Sequence, residues 1–151
     1  IRSPYGPGIW PAFWLLGDNI TTVNWPQCGE IDVMELRGKE PHIIHGSIHG
    51  PGYSAGNAIT KSYGLNKARF DQDFYIFAIE WHEDKIEFFV NDFMYHRIEK
   101  DKVPGTWVFD QPFYMILNMA VGGNFVGFPV ENTPFPMKMY IDYIKVYQFT
   151  S

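Results

Sequence analysis

The sequence holds one cysteine, no cluster of Lys and Arg, and no apolar run near the roughly 20 residues that span a bilayer. Each shortage excludes something. A lone Cys28 cannot close an internal disulfide, and two residues before Glu30 it reads as a small buried packing residue, with a cleft position as the alternative. A net charge of −5 over 151 residues repels phosphate, which argues against nucleic acid as a partner. No stretch has the sustained 3.6-residue periodicity of an amphipathic helix, and no signal-peptide pattern heads the chain.

What is abundant is aromatic: 18% of the residues, mostly in short alternating runs punctuated by glycine, proline and asparagine. Strands are expected at Trp10–Leu16, Gly29–Arg37, Ile43–His49, Tyr75–Trp81, Lys85–Val90, Phe93–Ile98, Phe113–Val121 and Lys138–Gln148. Asn91-Asp92 joins two of them as a tight hairpin turn. The Pro/Gly-rich segments Pro51–Gly56 and Asn124–Pro136 read as surface loops. No repeat or internal boundary is visible, so residues 1–151 read as one domain of the all-β class, two packed antiparallel sheets.

The most informative six residues run from Glu30 to Glu35 in GEIDVMELRG. On a strand, Glu30 and Asp32 share a face, with Ile31 and Val33 behind them. Glu35 then falls on the wrong side unless one residue is bulged out at Val33–Met34, which also leaves Leu36 on the apolar face. A helix fits less well, because i,i+4 stacking sets Glu30 over Met34 and Ile31 over Glu35. With the bulge, Glu30 and Glu35 lie roughly 13 Å apart along the backbone. Inclined side chains could close this to the roughly 5–5.5 Å of a retaining glycosidase pair. Charges about 6 Å apart repel by roughly 3 kcal/mol at an effective dielectric near 20, enough to keep one carboxyl protonated near neutrality. On spacing alone, a solvated acidic face or a calcium loop remains open beside catalysis.

The surrounding motifs resemble those of the laminarinase-type endo-1,3-β-glucanases of glycoside hydrolase family 16. GEIDVME (Gly29 to Glu35) is similar to their E-[IL]-D-[IV]-x-E signature. PYGPGIWPAFWLLG precedes it, and HGSIHGPGYSAG, FAIEW, LNMAVGGNF and YIDYIKVYQ follow in family order. The extra Met34 separates the chain from the mixed-linkage lichenases, whose E-x-D-x-E lacks it. The resemblance implies a β-jelly roll with a concave glycan-binding cleft and retaining cleavage of internal β-1,3-glucosidic bonds. In it Glu30 is the nucleophile, Glu35 the general acid/base and Asp32 the auxiliary that tunes the nucleophile. It implies a β-glucan partner, no metal for bond cleavage, and a secreted location, since polymeric glucan does not cross membranes. The alternatives are a glucan-recognition module that binds without cutting, or a relative acting on mixed-linkage glucan or agarose-type galactan or as a transglycosylase. Binding-only relatives characteristically lose the paired glutamates, and this sequence keeps both.

Trp10, Trp14 and Trp25 are the sugar-binding candidates, because an indole offers a flat apolar surface to the C–H face of a pyranose. Core packing is the competing fate for each. Trp81 alternates with Ile79 and Phe77 and reads as core or cleft floor. His45, Ser47 and His49 share a strand face. The two histidines are roughly 13 Å apart, too far to share a zinc ion, and the resemblance points to His49 as near the catalytic centre. Asn118, alternating with Ile116 and Ala120, is a candidate for sugar hydroxyls or a satisfied buried amide. The resemblance further implies a structural calcium at Asp142, most of whose other ligands come from an N-terminal segment that this chain lacks. By the same comparison roughly a third of the expected domain is missing ahead of Ile1. The apolar wall that includes Phe88, Val90, Ile144 and Val146 is then expected to be partly exposed and covered by a two-fold dimer, the alternative being that the missing residues exist in the native protein and are simply absent from this chain.

Overall fold

A computed structural model describes residues 1–149. Eight strands form: β1 (Ile9–Gly17), β2 (Glu30–Leu36), β3 (Ile43–His49), β4 (Ile59–Gly64), β5 (Phe77–Trp81), β6 (Lys85–Val90), β7 (Phe93–Glu99) and β8 (Phe113–Val121). They build two antiparallel sheets, one ordered β4-β3-β2-β1-β8 and the other β5-β6-β7. This is the expected all-β sandwich with jelly-roll architecture. Among the described residues no helix is long and apolar enough to cross a membrane.

The sheets meet through the apolar alternates of their strands. Ile31, Val33, Met34 and Leu36 of β2 and Ile44 and Ile48 of β3 pack with Ile86, Phe88 and Val90 of β6 and Tyr95 and Ile98 of β7. Trp81 belongs to this side. Its indole N–H donates to the Phe109 carbonyl at 2.8 Å, and its ring meets Phe113 edge-on, so it is core, away from the acidic face. Cys28 is buried, as a packing residue.

The expected bulge is present where β2 faces both neighbours. Asp32 pairs with Ser47 and Glu35 with His45, leaving Val33 and Met34 together opposite Gly46. On the other side Trp14 pairs with Asp32 and Phe13 with Met34. Both bulged side chains turn into the core. Gly46 is required beneath them, because a Cβ there would collide with the Tyr95 hydroxyl and the Phe88 ring. Asn91 adopts a positive φ of 52°, which closes the β6–β7 hairpin where the sequence places its turn.

Two strand expectations need correction. β4 was not anticipated: the sequence ITKSYG alternates weakly because an edge strand leaves most of its side chains in water. Conversely, Lys138–Gln148 forms no strand. Its single bridge joins Tyr140 to Arg2, and a ladder needs a neighbour along its length that no described strand provides. The apolar wall divides accordingly. Phe88 and Val90 are buried, whereas Ile144 and Val146 are 46% and 76% exposed.

Candidate active site

The face of the five-stranded sheet turned away from the core gathers the acids and most of the residues singled out from sequence. Register fixes their order. Glu30 lies opposite His49, Asp32 opposite Ser47 and Glu35 opposite His45 on β3. On the other side Glu30 faces Leu16, Asp32 faces Trp14 and Glu35 faces Ala12 of β1. Beyond β1, Asn118 of β8 pairs with Ala12.

Hydrogen bonds tie each acid to a partner. Trp25, on the loop before β2, donates its indole N–H to Glu30 Oε2 at 2.6 Å. Trp10 donates to Glu35 Oε1 at 3.0 Å. Asp32 Oδ2 is 2.9 Å from His49 Nε2, which also stands 3.9 Å from Glu30 Oε1. The Ala55 backbone N–H donates to His49 Nδ1 at 3.1 Å. An acceptor at Nδ1 leaves the proton of a neutral imidazole on Nε2, so His49 donates to Asp32. The turn after β3 therefore selects the tautomer that donates to Asp32. Trp14 donates to Asn118 Oδ1 at 2.9 Å, and among the described residues the amide NH2 of Asn118 has no acceptor.

Electrostatics separates the acids. Asp32, only 2% exposed, is pushed well above the usual carboxylate range by burial, then by the charges of Glu35 and Glu30. Burial also raises Glu35, to about 7, with repulsion from Glu30 adding to the rise and the Trp10 N–H and Arg37 opposing it. Burial lowers His49, which keeps it neutral near pH 7. Burial and mutual repulsion thus favour the protonated forms of Asp32 and Glu35 near neutrality, the state that a general acid requires.

Glu30, Asp32 and His49 also offer ligand atoms within 4.8 Å of one another, but the Nε2 proton of His49 already points at Asp32. Among the described residues His45 joins no such group. Its Nδ1 is 2.8 Å from Ser62 Oγ, and its ring meets Phe125 edge-on. Asp142 lies apart from the acids. It is exposed, and among the described residues it belongs to no group of three His, Cys, Asp or Glu ligands. Calcium wants six to eight oxygens, so at Asp142 it would have to draw mainly on backbone carbonyls.

Sequence reasoning missed one wall of the site. The loop after β8 folds back so that Phe125 packs on Trp10, with centroids 5.1 Å apart, and under the Arg37 guanidinium at 4.3 Å. Phe125 stands within the LNMAVGGNF motif, yet strand periodicity stops at Val121 and gave no signal for it. Ser62 and Thr60, which contact His45 and Ser47, were missed together with β4.

Comparison with known proteins places this geometry. Residues 1–145 match the family model described as glycosyl hydrolases family 16. A β-glucanase of Rhodothermus marinus is 36% identical over 157 aligned residues, covering 98% of this chain and 55% of that protein. The structure of an endo-β-1,3-glucanase from Pyrococcus furiosus superposes with a TM-score of 0.88 at 51% identity, over 89% of this chain and 53% of that one. The laminarinase catalytic domain of Thermotoga maritima gives a TM-score of 0.88 at 49% identity, over 89% and 56%. The chain thus spans about half the length of these three relatives.

Proposed function

The chain belongs to glycosyl hydrolases family 16, and on that footing we propose that it cleaves internal β-1,3-glucosidic bonds of β-glucans such as laminarin with retention of configuration. The observation that carries the reading is the row Glu30, Asp32 and Glu35 on one face, with Glu35 raised to about 7 beside its neighbours. A group poised there is an acid at the start of the reaction and a base once it has given up its proton.

The first step pairs two events. The Glu30 carboxylate forms a bond to the anomeric carbon while the bond from that carbon to the leaving oxygen breaks. Glu35 transfers its proton to that oxygen. In the second step Glu35 takes a proton from water, the water oxygen bonds to the anomeric carbon, and the ester to Glu30 breaks. Asp32, held by His49, donates its proton toward Glu30 and steadies the charge that returns there. None of these steps calls on a metal. Trp14 and Trp25 supply apolar surface along the face, and Asn118 supplies an amide donor. A polymeric substrate implies that the reaction takes place outside the cell, which fractionation of the source organism would check.

A non-cleaving glucan-recognition module is the competing class, and the paired glutamates speak against it. Reducing-sugar release from laminarin, lichenan and agarose, measured side by side, tests the reading. Release from laminarin above the other two supports it. Binding to laminarin with no release from any polymer would sink it, and preferential release from agarose would reassign the linkage.

A further inference from the structure

Both glutamates of the row receive an indole N–H, but the two tryptophans are not equivalent. Trp25 sits on a loop and is 40% exposed, so its ring remains open to a ligand. Trp10 is built into β1, one alternate position before Ala12, and is more enclosed. Phe125 packs against its ring at an interplanar angle of 43°, and Gly123 lies beside it, where a Cβ would be in van der Waals contact with Cζ3 at 3.5 Å. A ring engaged in this way has less face to offer a pyranose, while its N–H remains aimed at Glu35 Oε1.

The chemistry of that bond is one-sided. An indole N–H can only donate, so the oxygen that faces it must accept in either protonation state of the carboxyl. In the acid form the carbonyl oxygen is the better acceptor, which favours Oε1 in that role and the proton on Oε2. In the ionised form the same contact becomes charge-assisted and stronger. We infer that Trp10 is a positioning residue for the acid/base, holding Glu35 Oε1 so that Oε2 alone carries the proton to and from the reacting oxygens. The inference rests on the acid/base reading of Glu35. In the first step the proton leaves Oε2 for the glycosidic oxygen as that oxygen's bond to the anomeric carbon breaks. In the second step water returns a proton to Oε2.

Several other groups face Glu35, and none duplicates this contact. Glu30 and Asp32 on β2 add negative charge, and Arg37 beyond the end of β2 opposes them. His45 on β3 is directly opposite but is lowered by burial and bonded to Ser62. Tyr95 of β7 lies beneath the strand. β1 itself, IWPAFWLLG, carries no titratable side chain. The N–H of Trp10 favours the ionised form, so its removal should raise the pH at which Glu35 loses its proton.

Trp10→Phe tests this by keeping an aromatic ring against Phe125 while deleting the donor. The alkaline limb of kcat/KM should move up by about one pH unit, and kcat should fall on the order of tenfold with little change in KM. An unmoved limb with a raised KM would mean that Trp10 serves only as a platform, and would overturn the inference. A second measurement needs no substrate and no substitution at Trp10. In the wild-type protein the indole 15N–1H resonance of Trp10 should titrate with a midpoint near Glu35's value of about 7, and the titration should vanish in Glu35→Gln. A resonance flat through that range would overturn the pairing even if laminarin is cleaved. A titrating resonance in a protein that cleaves no glucan would uphold the pairing and sink the glucanase reading instead.

Discussion

Glu35 governs how the site should respond to pH. In the proposed reaction its carboxyl must be protonated to assist departure of the leaving group, and burial sets the loss of that proton at about 7. The rate of glycosidic cleavage should therefore fall as pH rises through that value, read as the alkaline limb of kcat/KM. The same shift has a cost in stability. A carboxyl raised from 4.5 to about 7 in the folded state stabilises the fold fully below pH 4.5, and that contribution is lost as pH rises through 7. Asp32 is raised too and acts in the same direction. Glu35→Gln should flatten this decline, leaving the variant more stable than wild type above pH 7 by about 1–3 kcal/mol in chemical denaturation. Glu30→Gln and Glu35→Gln should each lower turnover on laminarin on the order of a hundredfold or more, with circular dichroism unchanged. Near-normal turnover in either would refute its assignment. The acids were legible because alternation plus one bulge is enough to place them. Their partners were not: the sequence marks Trp10 and Trp25 as aromatic but does not reveal that their N–H groups meet carboxylates.

The strand that carries the acids depends on what lies beneath it. Val33 and Met34 bulge into the core opposite Gly46, and Gly46 has the Tyr95 hydroxyl and Phe88 against it. That hydroxyl is buried with no hydrogen-bond partner among the described residues. Gly46→Ala should thus destabilise the protein by about 1–3 kcal/mol through overpacking. Tyr95→Phe alone should be close to neutral, because it removes a polar atom that bonds to nothing. Combined, the two should cost less than Gly46→Ala alone, and strict additivity in a thermal-melt double-mutant cycle would refute the contact. The bulge could be anticipated from the extra residue between Asp32 and Glu35. β4 could not, since a mostly solvated edge strand carries little periodicity. The false strand at Lys138–Gln148 shows the converse limit: alternation reports the faces of a segment, and only the fold reports whether a neighbour exists.

The whole molecule has one face of the larger sheet given to polar and aromatic side chains and the other only partly covered. The three-stranded sheet packs against β2 and β3, while Met115, Val121, Ile144 and Val146 stay exposed. With these apolar side chains in water, a chain of these 151 residues is expected to self-associate at micromolar concentrations. Sedimentation velocity would check it, and a single monomeric species across that range would contradict it. The central claim, that Glu30 and Glu35 act as nucleophile and acid/base in a double displacement, is tested most directly by the anomeric form of the first product. Proton NMR during the first minutes of laminarin hydrolysis, before mutarotation, should show the β-anomer ahead of the α-anomer. An α-anomer that appears first would mean a single inverting displacement and would contradict the account.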